Sequence, residues 1–189
     1  MKYYQLAIIF LLFLILLMGR FLIAPQAIFY SSLESGLEAV EWPKARIYST
    51  YPFSNKAELL INVGVNDGAV ESMSVVVEEF LLGKVTRVFE NYSVVKTIFD
   101  SSWEISVRVG PQEVDALLEG GPMPRLTMVA KDGEFAVGQA VYSANRDFEY
   151  GSIIGYVKAI TDNSAAVFRE AELVMPYDFN DLRVVTLVR

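Results

Sequence analysis

The chain contains no cysteine and no histidine in 189 residues. Without thiols there are no disulfides and no thiolate zinc sites. Without imidazole there is no histidine-ligated haem and no Ser-His or Cys-His nucleophile. Carboxylate pairs, Ser-Lys dyads and metal sites built only from oxygen remain as the available chemistry. Positive charge is also scarce: Lys and Arg number 16 against 23 Asp and Glu, a net charge of −7. An acidic chain gains nothing electrostatically from nucleic acid or an anionic lipid surface, so nucleic acid is excluded as a partner and other proteins become the default. Long low-complexity tracts, Gly/Ser linkers and strong repeats are missing as well. About 145 residues follow Ala45, enough for one medium domain or two small ones.

What the chain does have is one long apolar run. Leu6 to Met18 reads LAIIFLLFLILLM, and with Gly19-Arg20 and Phe21 to Ala24 the stretch extends to about 20 residues, roughly 30 Å as a helix and one hydrocarbon thickness. A cleaved signal peptide is the competing reading. It is disfavoured because cleavage after Ala24 places Leu22 where a small residue belongs, and cleavage after Ala27 places Pro25 there. Residues 1–25 are therefore read as a single-pass anchor, with Arg20 snorkelling and Tyr3, Tyr4, Phe29 and Tyr30 at the interfaces. The C-terminal module is expected outside the cytoplasm. Residues 26–45 read as a short juxtamembrane helix in which Tyr30, Leu33, Leu37 and Val40 follow an a/d spacing. That stripe serves either self-association or packing against the membrane or the following domain.

From Ala45 onward the pattern is almost entirely β. Strands are predicted at 57–63, 73–80, 83–89, 94–99, 103–109, 125–130, 139–144, 152–160, 165–174 and 181–189. The clearest is WEISVRV, where Trp103, Ile105, Val107 and Val109 face one way and Glu104, Ser106 and Arg108 the other. A tight connection is expected at Leu81-Leu82-Gly83. PQEVDALLE (111–119) reads equally as a short helix with Pro in its first turn or as a loop and short strand. Turns every eight to twelve residues mean a sandwich or small barrels. The fold class is mainly β: a transmembrane helix followed by two small β-barrel-like subdomains, 46–115 and 116–189, with the seam in the Gly- and Pro-rich stretch 110–124 and both its exact position and interleaving of the two left open.

Residues 57–109 resemble the first block of the rod shape-determining protein MreC family. The family's strand, Gly-x-x-Asp-Gly turn, Gly-Met-x-Val segment, Gly-Lys-Val strand and Ser-x-Val strand read here as Gly64-Val65-Asn66-Asp67-Gly68, Ser72-Met73-Ser74-Val75, Gly83-Lys84-Val85 and Ser93-Val94-Val95. Farther on, Val137 to Ser143 and Phe148 to Val157 resemble two later segments of the family. The chain departs from it at Ser143-Ala144-Asn145, at Tyr150 in place of Pro and at Phe80 in place of Gly, and its segment between anchor and β module is short. The resemblance implies a non-enzymatic scaffold in the bacterial cytoplasmic (inner) membrane. It would self-associate, contact a multispan membrane partner and bind cell-wall synthases to regulate cell shape. An adaptor or assembly factor of a secretion or transport complex is the alternative.

No residue set demands a cofactor, a metal or a catalytic role. Gly64, Asp67 and Gly68 are read as turn residues rather than ion ligands, together with Gly83, Gly151 and Gly155. Glu78-Glu79 and Glu170 with Glu172 are read as solvated strand faces, not paired catalytic carboxylates. Ser101-Ser102 with nearby lysines permits a Ser-Lys dyad without any motif that aligns one. Four aromatics near predicted turns, Phe80, Tyr92, Tyr150 and Tyr177, are the candidates for partner contact, weighed against simple hairpin-tip packing.

Overall fold

Alternation along Glu104–Val109 decides the centre of the fold. Ile105, Val107 and Val109 are buried while Glu104 and Ser106 are exposed, so this strand has one wet and one dry face. In the computed structural model, which describes residues 43–48, 55–149, 151–162 and 165–189, the dry face lines a closed barrel. The described residues all belong to the compact unit that runs from Trp42 to Arg189. The predicted anchor and the juxtamembrane stripe of Tyr30, Leu33, Leu37 and Val40 lie outside the described residues, as does Tyr150. Among the described residues no helix is long and apolar enough to cross a membrane.

Twelve strands form in chain order: β1 Lys44–Arg46, β2 Glu58–Ile61, β3 Ser74–Val77, β4 Phe80–Val88, β5 Ser93–Thr97, β6 Glu104–Val109, β7 Val114–Glu119, β8 Arg125–Ala130, β9 Ala140–Ser143, β10 Ile153–Thr161, β11 Phe168–Val174 and β12 Val184–Val188. The barrel runs β6-β7-β8-β11-β10-β9 and returns to β6, every pair antiparallel. Closure leaves no unpaired strand edge, the usual hazard of small sheets. Leu118, Leu126, Val129, Val141, Ile154 and Val157 fill its interior. Register shifts between Arg169 and Ala171 and between Val157 and Ala159 supply the bends that a small barrel needs.

The other strands lie outside that ring and pair in the order β2-β5-β4-β3-β12-β1. Their two ends meet at a single bridge between Ile47 and Ile61. Backbone bonds from Tyr48 N–H to Leu60 (2.8 Å) and from Asn62 N–H to Arg46 (3.0 Å) flank it. β4 also touches β10 in parallel where Phe80 meets Ile153. Consecutive buried residues mark strands covered on both faces: Leu81-Leu82 in β4 and Ser93-Val94-Val95 in β5. Full burial of each leucine contributes about 1.5–3 kcal/mol.

Several sequence expectations need correction. The connection between β3 and β4 is Glu78-Glu79, with Val77 opposite Phe80; Leu81, Leu82 and Gly83 lie inside β4. Gly83 is a point of close approach, since a Cβ there would stand 2.2 Å from the Lys96 carbonyl and 2.8 Å from Thr97 Cα. Gly155 likewise lies in β10, its missing Cβ 2.8 Å from the Val174 carbonyl. Residues 114–119 of the PQEVDALLE segment form a strand, β7, paired along its whole length with β6. The punctuated stretch 110–124 therefore joins neighbouring staves of one barrel, and a boundary at 115/116 would fall within β7. β12 crosses back from the end of the chain to lie between β1 and β3.

Candidate partner-binding surface

Five residues of the Gly-Val-Asn-Asp-Gly motif build one end of the second strand set. Val65–Asp67 makes a single 3₁₀ turn, Asp67 Oδ2 accepts the Gly64 N–H at 2.9 Å, and Gly68 closes the turn at φ +87°. The Asp67 carboxylate is thus engaged by the turn, as its position implies. The turn is fastened to the β4–β5 connection. Val65 N–H donates to the Phe89 carbonyl (2.9 Å), Asn66 N–H to Glu90 (3.1 Å), and Asn66 Nδ2 to Asn91 Oδ1 (3.1 Å). Gly64 allows this approach, because a Cβ there would lie 2.5 Å from the carbonyls of Phe89 and Glu90.

On this frame Phe89 and Tyr92 stack face to face, centroids 4.4 Å apart at 14°. Phe89 N–H donates to the Tyr92 carbonyl (2.8 Å), which closes the connection behind the rings. Phe89 is 39%, Tyr92 38% and the adjoining Val65 60% exposed. Two rings held by backbone bonds lose little conformational freedom on docking and offer a large apolar area, the composition of interface anchors. Phe89 was absent from the sequence candidates. Its signal was present as an aromatic pair, Phe89 and Tyr92, flanking the Glu90-Asn91 tip.

The other aromatics behave differently. Phe80 is 6% exposed and packs edge-on against Tyr156 at 6.1 Å, so it is core and not a contact residue. It is buried because the turn precedes it at Glu78-Glu79 rather than following it. Tyr177 is half-buried beside a groove of about 520 Å³ that also touches Phe99, Phe179, Met175 and Lys56. Phe99 and Phe179 meet edge to face at 5.2 Å, with Lys56 Nζ 5.8–5.9 Å from both rings. The Tyr177 hydroxyl is buried without a hydrogen-bond partner, and that burial raises its pKa above the ordinary phenol value. Gly151 holds φ +83° in the turn before β10, as a turn glycine should.

Ser102 of the Ser101-Ser102 pair lies in a hydrogen-bonded turn with Lys96 and Asp100. Ser102 Oγ lies 2.5 Å from both Lys96 Nζ and Asp100 Oδ1, and the Ser102 N–H reaches the same carboxylate at 2.8 Å. Those hydrogen bonds from Ser102, with Lys96 behind them, hold the Asp100 carboxyl below its usual value. Lys96 Nζ also forms an ion pair with the Asp100 carboxylate at 3.5 Å. The Asp100 carboxylate therefore serves as an Asx cap for the turn into β6. Glu78 and Glu79 are exposed at their turn, and Glu172 pairs with Lys158 Nζ at 3.0 Å. Among the described residues no group of three Asp or Glu side chains gathers to hold a metal ion.

The fold defines a small, mainly β module: a closed six-strand barrel, with the exposed Phe89–Tyr92 pair on the strand set outside it. Comparison with known proteins then supplies the family. The family model described as "Rod shape-determining protein MreC, barrel core" matches residues 47–189, and the chain belongs to that family of structural, cell shape-determining proteins. It is 25% identical over 166 residues to the cell shape-determining protein MreC of Streptococcus pneumoniae, covering 82% of this chain and 61% of that relative. The chain thus spans about three fifths of the length of the curated relative it matches. Its fold resembles the crystal structure of MreC from Pseudomonas aeruginosa, with a TM-score of 0.71 and 23% identity, covering 79% of this chain and 99% of that one. It also resembles a chain in the complex between penicillin-binding protein PBP2 and MreC from Helicobacter pylori, with a TM-score of 0.60 and 15% identity, covering 78% and 98%.

Proposed function

We propose that this chain is a non-enzymatic scaffold of the cell-wall elongation machinery, anchored by residues 1–25 in the bacterial cytoplasmic membrane with its β module outside. It binds and positions peptidoglycan synthases. The observation that carries this reading is the pre-organised Phe89–Tyr92 stack beside Val65 on a β frame of this family. A solved complex between penicillin-binding protein PBP2 and MreC from Helicobacter pylori, whose fold this chain resembles, supports it. The β module divides into two barrel-like subdomains, one made of 44–97 with 184–188 and the other of 104–174, and the stripe of Tyr30, Leu33, Leu37 and Val40 self-associates. A multispan membrane protein completes the assembly. Binding biases a synthase toward one arrangement, which needs only tighter contact with that arrangement.

The test is capture of tagged full-length chain from crosslinked native membranes, with bound proteins identified by mass spectrometry. Wall synthases are enriched with the native chain. Replacing both rings (Phe89→Ser, Tyr92→Ser) removes about 2 kcal/mol or more of contact and cuts synthase recovery over tenfold. Enrichment of a transport or secretion complex without wall enzymes would overturn the reading.

A further inference from the structure

We propose that residues 131–139 form a strap at one end of the closed barrel, that it opens while the staves stay paired, and that Arg169 is its latch. The strap joins β8 to β9 and contains no strand. It covers a thin seam, since β7 and β8 share three residue pairs where β6 and β7 share six. Beyond those three pairs β8 bulges, with Thr127 and Met128 together opposite Glu170 and Met128 at φ +54°. Gly133 of the strap comes against Val114 at the start of β7, where a Cβ would stand 2.6 Å from Val114 Cγ1. Phe135 is the side chain that the strap packs, partly buried, against the core.

Backbone bonds tie the two ends of the strap. Gly133 N–H donates to the Ala130 carbonyl (3.1 Å) and Gly138 N–H to that of Val157 (2.8 Å), while Val157 N–H returns to Gln139 (2.9 Å). The middle hangs on β11. Arg169 Nη2 donates to the carbonyls of Gly133 and Ala130, the latter at 3.2 Å, and its guanidinium lies 4.7 Å from the centre of the Phe135 ring. One planar cation thus holds a turn by its edge and a ring by its face, a combination the compact ammonium of lysine does not reproduce.

The latch closes by a small margin. Among the described residues no carboxylate forms an ion pair with Arg169, and its Nε–H is buried with no acceptor. A buried donor without an acceptor is unfavourable, and opening returns it to water. The two carbonyls that Arg169 holds are rehydrated in the same step. Closure therefore rests on two bonds and one ring contact set against a stranded N–H, whereas the staves are held by whole ladders. Opening bares Phe135 and Val114 at a barrel end where Val137 and Phe168 are already exposed. None of these residues belongs to the Phe89–Tyr92 tip, so failure of the synthase reading leaves the strap standing.

The test is hydrogen–deuterium exchange on the purified full chain in detergent, read by mass spectrometry with electron-transfer fragmentation to resolve single amides. The reporters are Gly133 N–H and Ala136 N–H, the second bonded to Gln139 Oε1 at 3.1 Å. In the native chain both exchange at rates that urea below the unfolding transition leaves unchanged, because local opening exposes little surface, while the amides of β6 respond to urea. Arg169→Met, which keeps much of the side chain's length without its donors, speeds both reporters about tenfold or more and the β6 amides less than about threefold. Arg169→Lys speeds the reporters about threefold or more should the methionine variant fail to fold. Equal acceleration in the strap and in β6, no acceleration in the strap, or reporters that follow urea as β6 does would each overturn the proposal.

Discussion

Gly64 and Gly68 bracket one short motif, yet the structure gives them different reasons for being glycine, and substitution separates the two. Gly64 has an ordinary extended φ of −128°. A Cβ there meets the carbonyl oxygens of Phe89 and Glu90 at 2.5 Å and the Asn91 nitrogen at 2.6 Å. Comfortable carbon contacts begin near 3.5 Å, so the 3₁₀ turn and the β4–β5 connection must part by about 1 Å. Overpacking of that kind costs about 1–3 kcal/mol. Parting also weakens the bonds from Val65 and Asn66 to Phe89 and Glu90, worth about 1 kcal/mol together once water replaces them. Gly64→Ala should therefore destabilise by about 3 kcal/mol, roughly 6–12 °C in melting temperature for a unit of this size. Gly64→Asn should be at least as bad. Gly68 has φ +87° and nothing within 4 Å of its missing Cβ. Its alanine variant pays only the left-handed penalty of about 1 kcal/mol, and asparagine pays less. Thermal and urea unfolding of the full chain by far-UV circular dichroism measures all four variants. If asparagine proves milder than alanine at position 64, the close-approach argument is wrong and the motif is a simple left-handed turn at both ends.

Three further outcomes are expected. The Asp100 carboxyl titrates below its ordinary value because Ser102 and Lys96 stabilise its charged form; its contribution is present above the unfolded pKa and is lost as pH falls through the folded one. Asp100→Asn should cost about 1 kcal/mol at pH 7 and progressively less below pH 4, and urea midpoints that differ equally at pH 7 and pH 3 would refute this. Tyr177→Phe removes a buried, unpartnered hydroxyl, so unfolding midpoints should stay level or rise by up to about 1 kcal/mol; a loss above that would reveal a hydrogen bond the hydroxyl makes. Glu78 sits at φ +56° in the β3–β4 turn, and Glu78→Gly should stabilise by about 0.5–1 kcal/mol; a destabilised variant would mean the turn is not strained there.

How far the sequence could be read differs from element to element. β6 was legible because each of its inward residues is apolar and two of its outward ones are exposed. β1 was not, since Lys44-Ala45-Arg46 offers one buried residue and becomes a strand only by pairing with β12. β7 was ambiguous because Ala116, Leu117, Leu118 and Glu119 favour helices locally, and pairing with β6 and β8 overrides that preference. For the candidate surface, Asn91 and Ser93 place Tyr92 near a hairpin tip, whereas the sequence pattern puts the connection at Leu81-Leu82-Gly83 and pairing of β3 with β4 moves it to Glu78-Glu79, which buries Phe80.

Composition and pattern alone settled that thiol and imidazole chemistry are missing and that the chain is mainly β, because residue types and period-two alternation are local properties; the family resemblance rests on the ordered motifs of 57–109. Tertiary structure decided which strands close the ring, that β12 returns between β1 and β3, and which aromatics are dry. It also decided which glycines serve a turn and which a close approach. Those outcomes depend on pairing between residues far apart in the chain. A glycine's neighbours across a sheet, unlike its neighbours along the backbone, are written nowhere in its own segment.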